Sequence, residues 1–289
     1  MTKTKKMLKP TIAEIYHGLQ KSASDWRRDH LGCSGLGRKC ERQIWYSWRW
    51  YARPDFDGRI LRLFRRGHLE EEQLVIDLEA AGITVSAETE DGEQWRASAL
   101  WGHLGGSIDF ALLGLKEMPT IWHLGECKTH SKKSFEDLEK KGVQKSKPVH
   151  YAQTIIYMEL FGFTHSAYFA ICKDDDRIYL ERYRADKYYA GELLEKAERI
   201  IKSTEEPARI SDDADYYLCR WCDAREVCHG IYRPFKSCRS CRYGKPILDG
   251  DNGRWECSQH RREIGPEEQR KACSKYTQNG SAALPIIGA

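Results

Sequence analysis

A chain of 289 residues is long enough for one substantial core plus a small accessory module. Its 47 basic residues against 43 acidic ones leave a net charge of +4, so overall charge does not mark a nucleic-acid binder. No apolar run approaches the roughly 18 residues of a membrane span, and the opening MTKTKKMLKP lacks the apolar stretch of a secretion signal.

The spacing of Ile12, Ile15, Leu19 and Trp26 predicts a helix over 12–28. Cys40–Trp50 is a second, aromatic-rich candidate, and Leu61–Ala81 a third that stops at Gly82. Strand patterns follow at 83–87, 94–99, 104–113 and 120–127. Residues 131–147 are lysine-rich and read as an exposed helix or loop. Pro148 opens a helix through Phe161, as proline favours the first turn. Two strands, 165–172 and 177–184, flank a turn at Asp174–Asp176, and helix returns from Lys187 to Lys202. Apolar periodicity then fades, and seven of the eleven cysteines fall between 219 and 273. The expected organisation is a domain over 1–233, a small module over 234–276 and a tail over 277–289.

The chemistry concentrates in GGSIDFALLGLKEMPTIWHLGECK, residues 105–128. One strand delivers Asp109 and the next ends in Glu126-Cys127-Lys128. Glu126 and Lys128 share a strand face, with Cys127 turned away. Carboxylates gathered on one small surface are costly unless a cation lies between them. A divalent metal, with the Cys127 backbone carbonyl as a further ligand, resolves that cost and suits phosphodiester hydrolysis.

Basic clusters at Arg62, Arg65 and Arg66, and at Lys132, Lys133, Lys140, Lys141, Lys145 and Lys147, read equally as solvated faces or as phosphate contacts. Trp45, Trp48, Trp50 and Tyr51 read as core aromatics or as stacking surfaces for unpaired bases. Absent a signal or span, the chain reads as cytoplasmic. In that reducing setting closely spaced cysteines read as metal ligands rather than disulfides. Cys219-x2-Cys222-x5-Cys228 is a triplet that needs a fourth ligand, and four thiolates suit zinc or an iron–sulfur cluster equally. Cys238-x2-Cys241-x15-Cys257-x15-Cys273 reads as a zinc ribbon, with His260 the alternative to Cys273. Arg239, Arg242, Lys245, Arg254, Arg261 and Arg262 read as its surface, solvated or facing phosphates. Cys127 and Cys172, in apolar strands, read as small core residues.

An Asp after one strand followed by Glu-x-Lys on the next resembles the PD-(D/E)xK nuclease superfamily, with Ile108 in place of the leading proline. Two further segments strengthen the likeness. Gly67 is followed four residues later by Glu71, as on the first core helix of RecB-like nucleases. Gln153 and Tyr157 resemble their Q-x-x-x-Y motif. Cys40-x-Arg42-x-x-Trp45, with the later cysteine triplet, resembles the iron–sulfur members of that group, the CRISPR-adaptation nucleases and AddB among them. The resemblance spans about residues 30–230 and implies an α/β fold. Its mixed central sheet is flanked by helices, as in restriction endonucleases, and is closed by an iron–sulfur clip on Cys40, Cys219, Cys222 and Cys228. It implies Mg²⁺ or Mn²⁺ held by Glu71, Asp109 and Glu126, with His68 able to assist. Lys128 orients water, and Gln153 and Tyr157 bond the DNA backbone or that lysine. Cys33 is the competing N-terminal thiol.

The expected function is a metal-dependent DNA exonuclease in recombination or end processing, from a bacterial host or phage. A single-strand-annealing or recombination partner and a homo-oligomer are companions the resemblance admits. The alternatives are an inert nucleic-acid-binding or assembly protein on the same scaffold, and a structure-specific endonuclease.

Overall fold

The structure, a computed structural model, describes residues 9–54 and 56–279. The start of the chain and 280–289, most of the expected tail, lie outside the described residues. Helix α1 (Pro10–Lys21) is followed by β1 (Leu31–Gly32), α2 (Glu41–Trp48) and the long α3 (Gly58–Ala80). Strands β2 (Thr84–Ser86), β3 (Arg96–Ala99), β4 (Leu104–Ser107), β5 (Phe110–Leu113) and β6 (His123–His130) come next. Helices α4 (Lys132–Ser146) and α5 (Pro148–Phe161) lead to β7 (His165–Cys172), β8 (Ile178–Arg184) and α6 (Lys187–Lys202). The C-terminal part carries α7 (Arg225–Cys228), β9 (Gly244–Pro246), β10 (Trp255–Cys257), β11 (Arg262–Ile264) and α8 (Pro266–Gln269).

The central sheet has the order β2-β5-β6-β7-β8, and only its β6–β7 pair is parallel. A parallel pair needs a long crossover, which α4 and α5 supply. Strand β7 is buried on both faces. Ala167, Phe169 and Ile171 meet Leu74 and Leu78 of α3 on one side. Tyr168, Ala170 and Cys172 meet Phe135, Leu138 and Val143 of α4 on the other. This explains its unbroken apolar run. A smaller sheet, β1-β4-β3, lies beside it.

Several expectations change. The first helix stops at Lys21, and Trp26 lies in the following loop, edge-on to Phe235 at 5.6 Å. The run 104–113 is two strands, because the chain leaves the small sheet after Ser107 and joins the central one at Phe110. The lysine-rich 131–147 segment is a helix that buries Phe135, Leu138 and Val143. It is broken at Gly142 (φ 74°), where the Val143 amide restarts the helix by donating to Glu181 Oε2 at 2.8 Å.

The C-terminal strands form their own sheet, β11-β10-β9, yet Trp255, Cys257 and Ile264 share one apolar cluster with Trp45 and Trp48 of α2. Two buried arginines tie the parts together. Arg49 donates to the carbonyls of Arg239 (3.1 Å), Gly244 (2.8 Å) and Ser203 (3.3 Å). Arg239 donates to Gln269 Oε1 (2.9 Å) and the Asp29 carbonyl (2.7 Å), with its guanidinium over the Trp50 and Trp255 rings. Thr277 and Asn279 are also tied down, through the Arg242 amide and the Tyr51 hydroxyl.

Candidate active site

The break between β4 and β5 places Asp109 opposite the end of β6. Pairing of β5 with β6 runs only to Phe110–Gly125. Beyond it the Cys127 amide has no strand partner on that side and donates to Asp109 Oδ2 at 2.8 Å. The carboxylate thus takes the place of the missing ladder bond and is held at the mouth of the split.

Three oxygens converge on the Lys128 ammonium. Nζ donates to the Cys127 carbonyl at 3.0 Å, stands 3.5 Å from Asp109 Oδ2 and is in direct contact with Glu126 Oε1. Gln153 Nε2 donates to the same Glu126 oxygen at 2.7 Å. Glu126 is fully buried, and its other oxygen, Oε2, has no hydrogen-bond partner among the described residues. A bare buried carboxylate oxygen is expensive in water-free surroundings.

Burial pushes the Glu126 carboxyl well above the usual range, and the Asp109 charge pushes it further. Glu71 is raised to about 7 by the same two causes. Burial opposes the Lys128 charge, but Glu126 and Asp109 outweigh it and hold the ammonium protonated. Buried oxygens short of positive charge fit a hard divalent cation. Among the described residues no three His, Cys, Asp or Glu side chains stand together closely enough to hold a metal ion; at this site Lys128 occupies the point between Asp109 and Glu126.

Glu71, His68, Cys127 and Lys128 line one open cleft of about 960 Å³. Arg28, Arg53 and Lys173 add positive charge, and Phe56 and Phe64 form an apolar wall with rings 5.0 Å apart. Gln153 and Tyr157 border a second cleft of about 550 Å³ that also reaches Arg28. Tyr157 fits because residue 106 is glycine: a Cβ there would lie 2.2 Å from its hydroxyl.

The structure therefore brings Glu71, Asp109, Glu126, Lys128 and Gln153 into one neighbourhood, with Tyr157 behind and exposed His68 at the rim. Gln153 holds Glu126 rather than Lys128. Trp45, Trp48, Trp50 and Tyr51 are buried, which removes the base-stacking reading for them. Arg239, expected at the surface, is only 1% exposed. His150 gave little signal in the sequence, yet it lines the cleft and bonds the buried Tyr168 hydroxyl at 2.7 Å. Its significance depends on strands distant in sequence.

Cys40, Cys219, Cys222 and Cys228 line one small cavity, with Arg42 Nη1 at 3.9 Å from Cys228 Sγ. Cys33 lies apart, fully buried in the apolar core, where burial pushes its thiol up to about 12. Cys238, Cys241, Cys257 and Cys273 line a second cavity of about 280 Å³ together with His260. Cys273 Sγ and His260 Nε2 are 3.6 Å apart, so both candidates for the fourth ligand occupy one corner.

No protein-family model matches the chain, and no curated protein matches it. Solved structures similar to it include the crystal structure of SSO0001, with a TM-score of 0.43 and 14% identity over 74% of this chain and 92% of that one. LHK-Exo in complex with dAMP gives 0.40 and 13% over 65% and 89%. An alkaline exonuclease, LHK-Exo from Laribacter hongkongensis, gives 0.39 and 14% over the same shares, 65% and 89%. Each likeness is one of chain path at low identity.

Proposed function

We propose that this protein is a divalent-metal-dependent DNA nuclease, working as an exonuclease. The observation that carries the reading is the convergence of Asp109 Oδ2, Glu126 Oε1 and the Cys127 carbonyl on one cationic point, with Glu126 Oε2 bare beside them. The point opens onto a cleft walled by Arg28, Arg53 and Lys173, charges that suit a phosphate backbone. Asp109, Glu126, Glu71 and the Cys127 carbonyl would hold Mg²⁺ or Mn²⁺, and His68, which lines the same cleft, would assist. The ion would supply Lewis acidity at the scissile phosphate and a water of lowered pKa.

Lys128 remains protonated among these acids, so it serves as a donor and not as a base. It orients the attacking water or steadies charge on the phosphate. Gln153 fixes the rotamer of Glu126, and Tyr157 closes the floor of the neighbouring cleft. The two thiol sets are structural in this reading. Cys40, Cys219, Cys222 and Cys228 would take an iron–sulfur cluster or zinc, clipping α2 to the chain after α6. Cys238, Cys241, Cys257 and Cys273 or His260 would take zinc.

Digestion of end-labelled single- and double-stranded DNA with Mg²⁺ or Mn²⁺ tests the proposal. Wild type shortens the label progressively, whereas Glu126→Gln and Lys128→Ala leave the DNA intact. Discrete fragments would instead mark an endonuclease. If either variant cuts as fast as wild type, the assignment is wrong.

A further inference from the structure

Behind the carboxylates runs a line of four polar groups that the proposed chemistry does not use. Ser134 Oγ lies 3.2 Å from His130 Nδ1, and His130 Nε2 lies 3.1 Å from the Tyr168 hydroxyl. That hydroxyl lies 2.7 Å from His150 Nδ1. Tyr168 is fully buried and pairs with Glu126 across the β6–β7 ladder, while His150 lines the cleft beside Lys128. With Nδ1 committed to Tyr168, Nε2 is the nitrogen His150 has free for the cleft.

Each link has one donor and one acceptor, so the direction of a single bond fixes all the others. A phosphate oxygen can only accept. An Nε2–H of His150 facing a phosphate therefore sets the whole line: Tyr168 donates to His150 Nδ1, His130 Nε2–H donates to Tyr168, and Ser134 donates to His130 Nδ1. No group in the line is left without a partner. Both rings are neutral in this setting. Burial and the Lys128 charge lower His150 to about 3, and burial and Lys147 lower His130 to about 4.

We propose that His150 is a backbone-phosphate contact of the bound DNA strand, a neutral Nε2–H donor whose tautomer is set by the Tyr168–His130–Ser134 line. The inference rests on the nuclease reading above and deepens it by naming a group that meets one particular phosphate. A neutral donor suits this place, because a third cation beside Lys128 and Lys173 would repel them. The line behind it holds the ring in orientation while the strand moves.

The experiment is anisotropy binding of a labelled single-stranded oligonucleotide in Ca²⁺, with a neutral methylphosphonate placed at each position in turn. His150→Ala weakens binding of the natural oligonucleotide about tenfold, the scale of one hydrogen bond to a charged group. His150→Gln, which restores an amide donor at similar reach, recovers most of the loss. The His150→Ala loss vanishes when the methylphosphonate occupies the contacted position and persists elsewhere, which a merely structural role would not produce. Tyr168→Phe shows a smaller loss at that same position. Equal loss at every position, or none, overturns the proposal. Should His150→Ala fail to fold, Tyr168→Phe is read in the same way, and absence of a position-specific loss again overturns it. Wild type that binds DNA but cleaves none in Mn²⁺ removes the nuclease reading, while the position-specific comparison still decides the His150 contact.

Discussion

Mn²⁺ should stabilise this protein, and the effect should depend on pH and on one carboxylate. Burial and the neighbouring Asp109 charge raise Glu71 from 4.5 to about 7, so the folded protein penalises its charged form. Glu126 is raised as well. Between pH 4.5 and about 7 the folded protein holds a proton on Glu71 that the unfolded chain has released. That contribution to stability is therefore full below pH 4.5 and is lost as pH rises through about 7. A cation competes with these protons, so its stabilisation grows as they leave. At a hundredfold excess over Kd the gain is about 2.7 kcal/mol, worth about 5–10 °C in Tm for a chain of this size. Scanning fluorimetry in Mn²⁺ at pH 5.5, 7 and 8 should show a shift that increases across the series. Glu126→Gln keeps the shape but loses the charge and should show at most a small shift. A wild-type Tm indifferent to Mn²⁺ at all three values, or an equal shift in Glu126→Gln, would refute the reasoning.

Other expectations follow from local geometry. Gly106→Ala drives a methyl into the Tyr157 hydroxyl and should cut cleavage at least tenfold, with Gly106→Ala/Tyr157→Phe regaining part of it in the same assay. Arg239→Ala strands the Gln269 and Asp29 acceptors and empties a well-filled site. It should cost about 3 kcal/mol in denaturant unfolding, and Arg239→Lys should not rescue it, lacking the planar fork. Cys40→Ser should lower bound iron or zinc measured by elemental analysis. Cys33→Ser should leave metal content unchanged yet still destabilise by about 1–2 kcal/mol, since it buries a hydroxyl in the apolar core.

Much of the scaffold was legible because its signals are local. Helix α5 runs from Pro148 through Phe161 as expected, and the strand expected at 165–172 is β7. The acidic motif was legible for the same reason, since strand alternation alone puts Glu126 and Lys128 on one face. Long-range pairing was not. Residues 104–113 look like one strand until the chain is seen to change sheets at Ile108 and Asp109. Arg239 and the Trp45–Tyr51 aromatics are ambiguous by composition, and only packing against Trp255 decides that they are interior. His150 is easily passed over because its hydrogen-bond partner, Tyr168, comes from β7, 18 residues after it.

Arg49 carries a consequence for how this protein can be divided. Two of the three carbonyls that solvate its guanidinium belong to residues after 233, and one ring stacked on it is Trp255. A truncation that ends at the apparent module boundary would leave a permanent positive charge sealed inside a greasy interior with most of its escorts gone. The segment after 233 is therefore no detachable accessory. Expression, exchange between relatives, or loss by deletion must treat the two segments as one heritable unit.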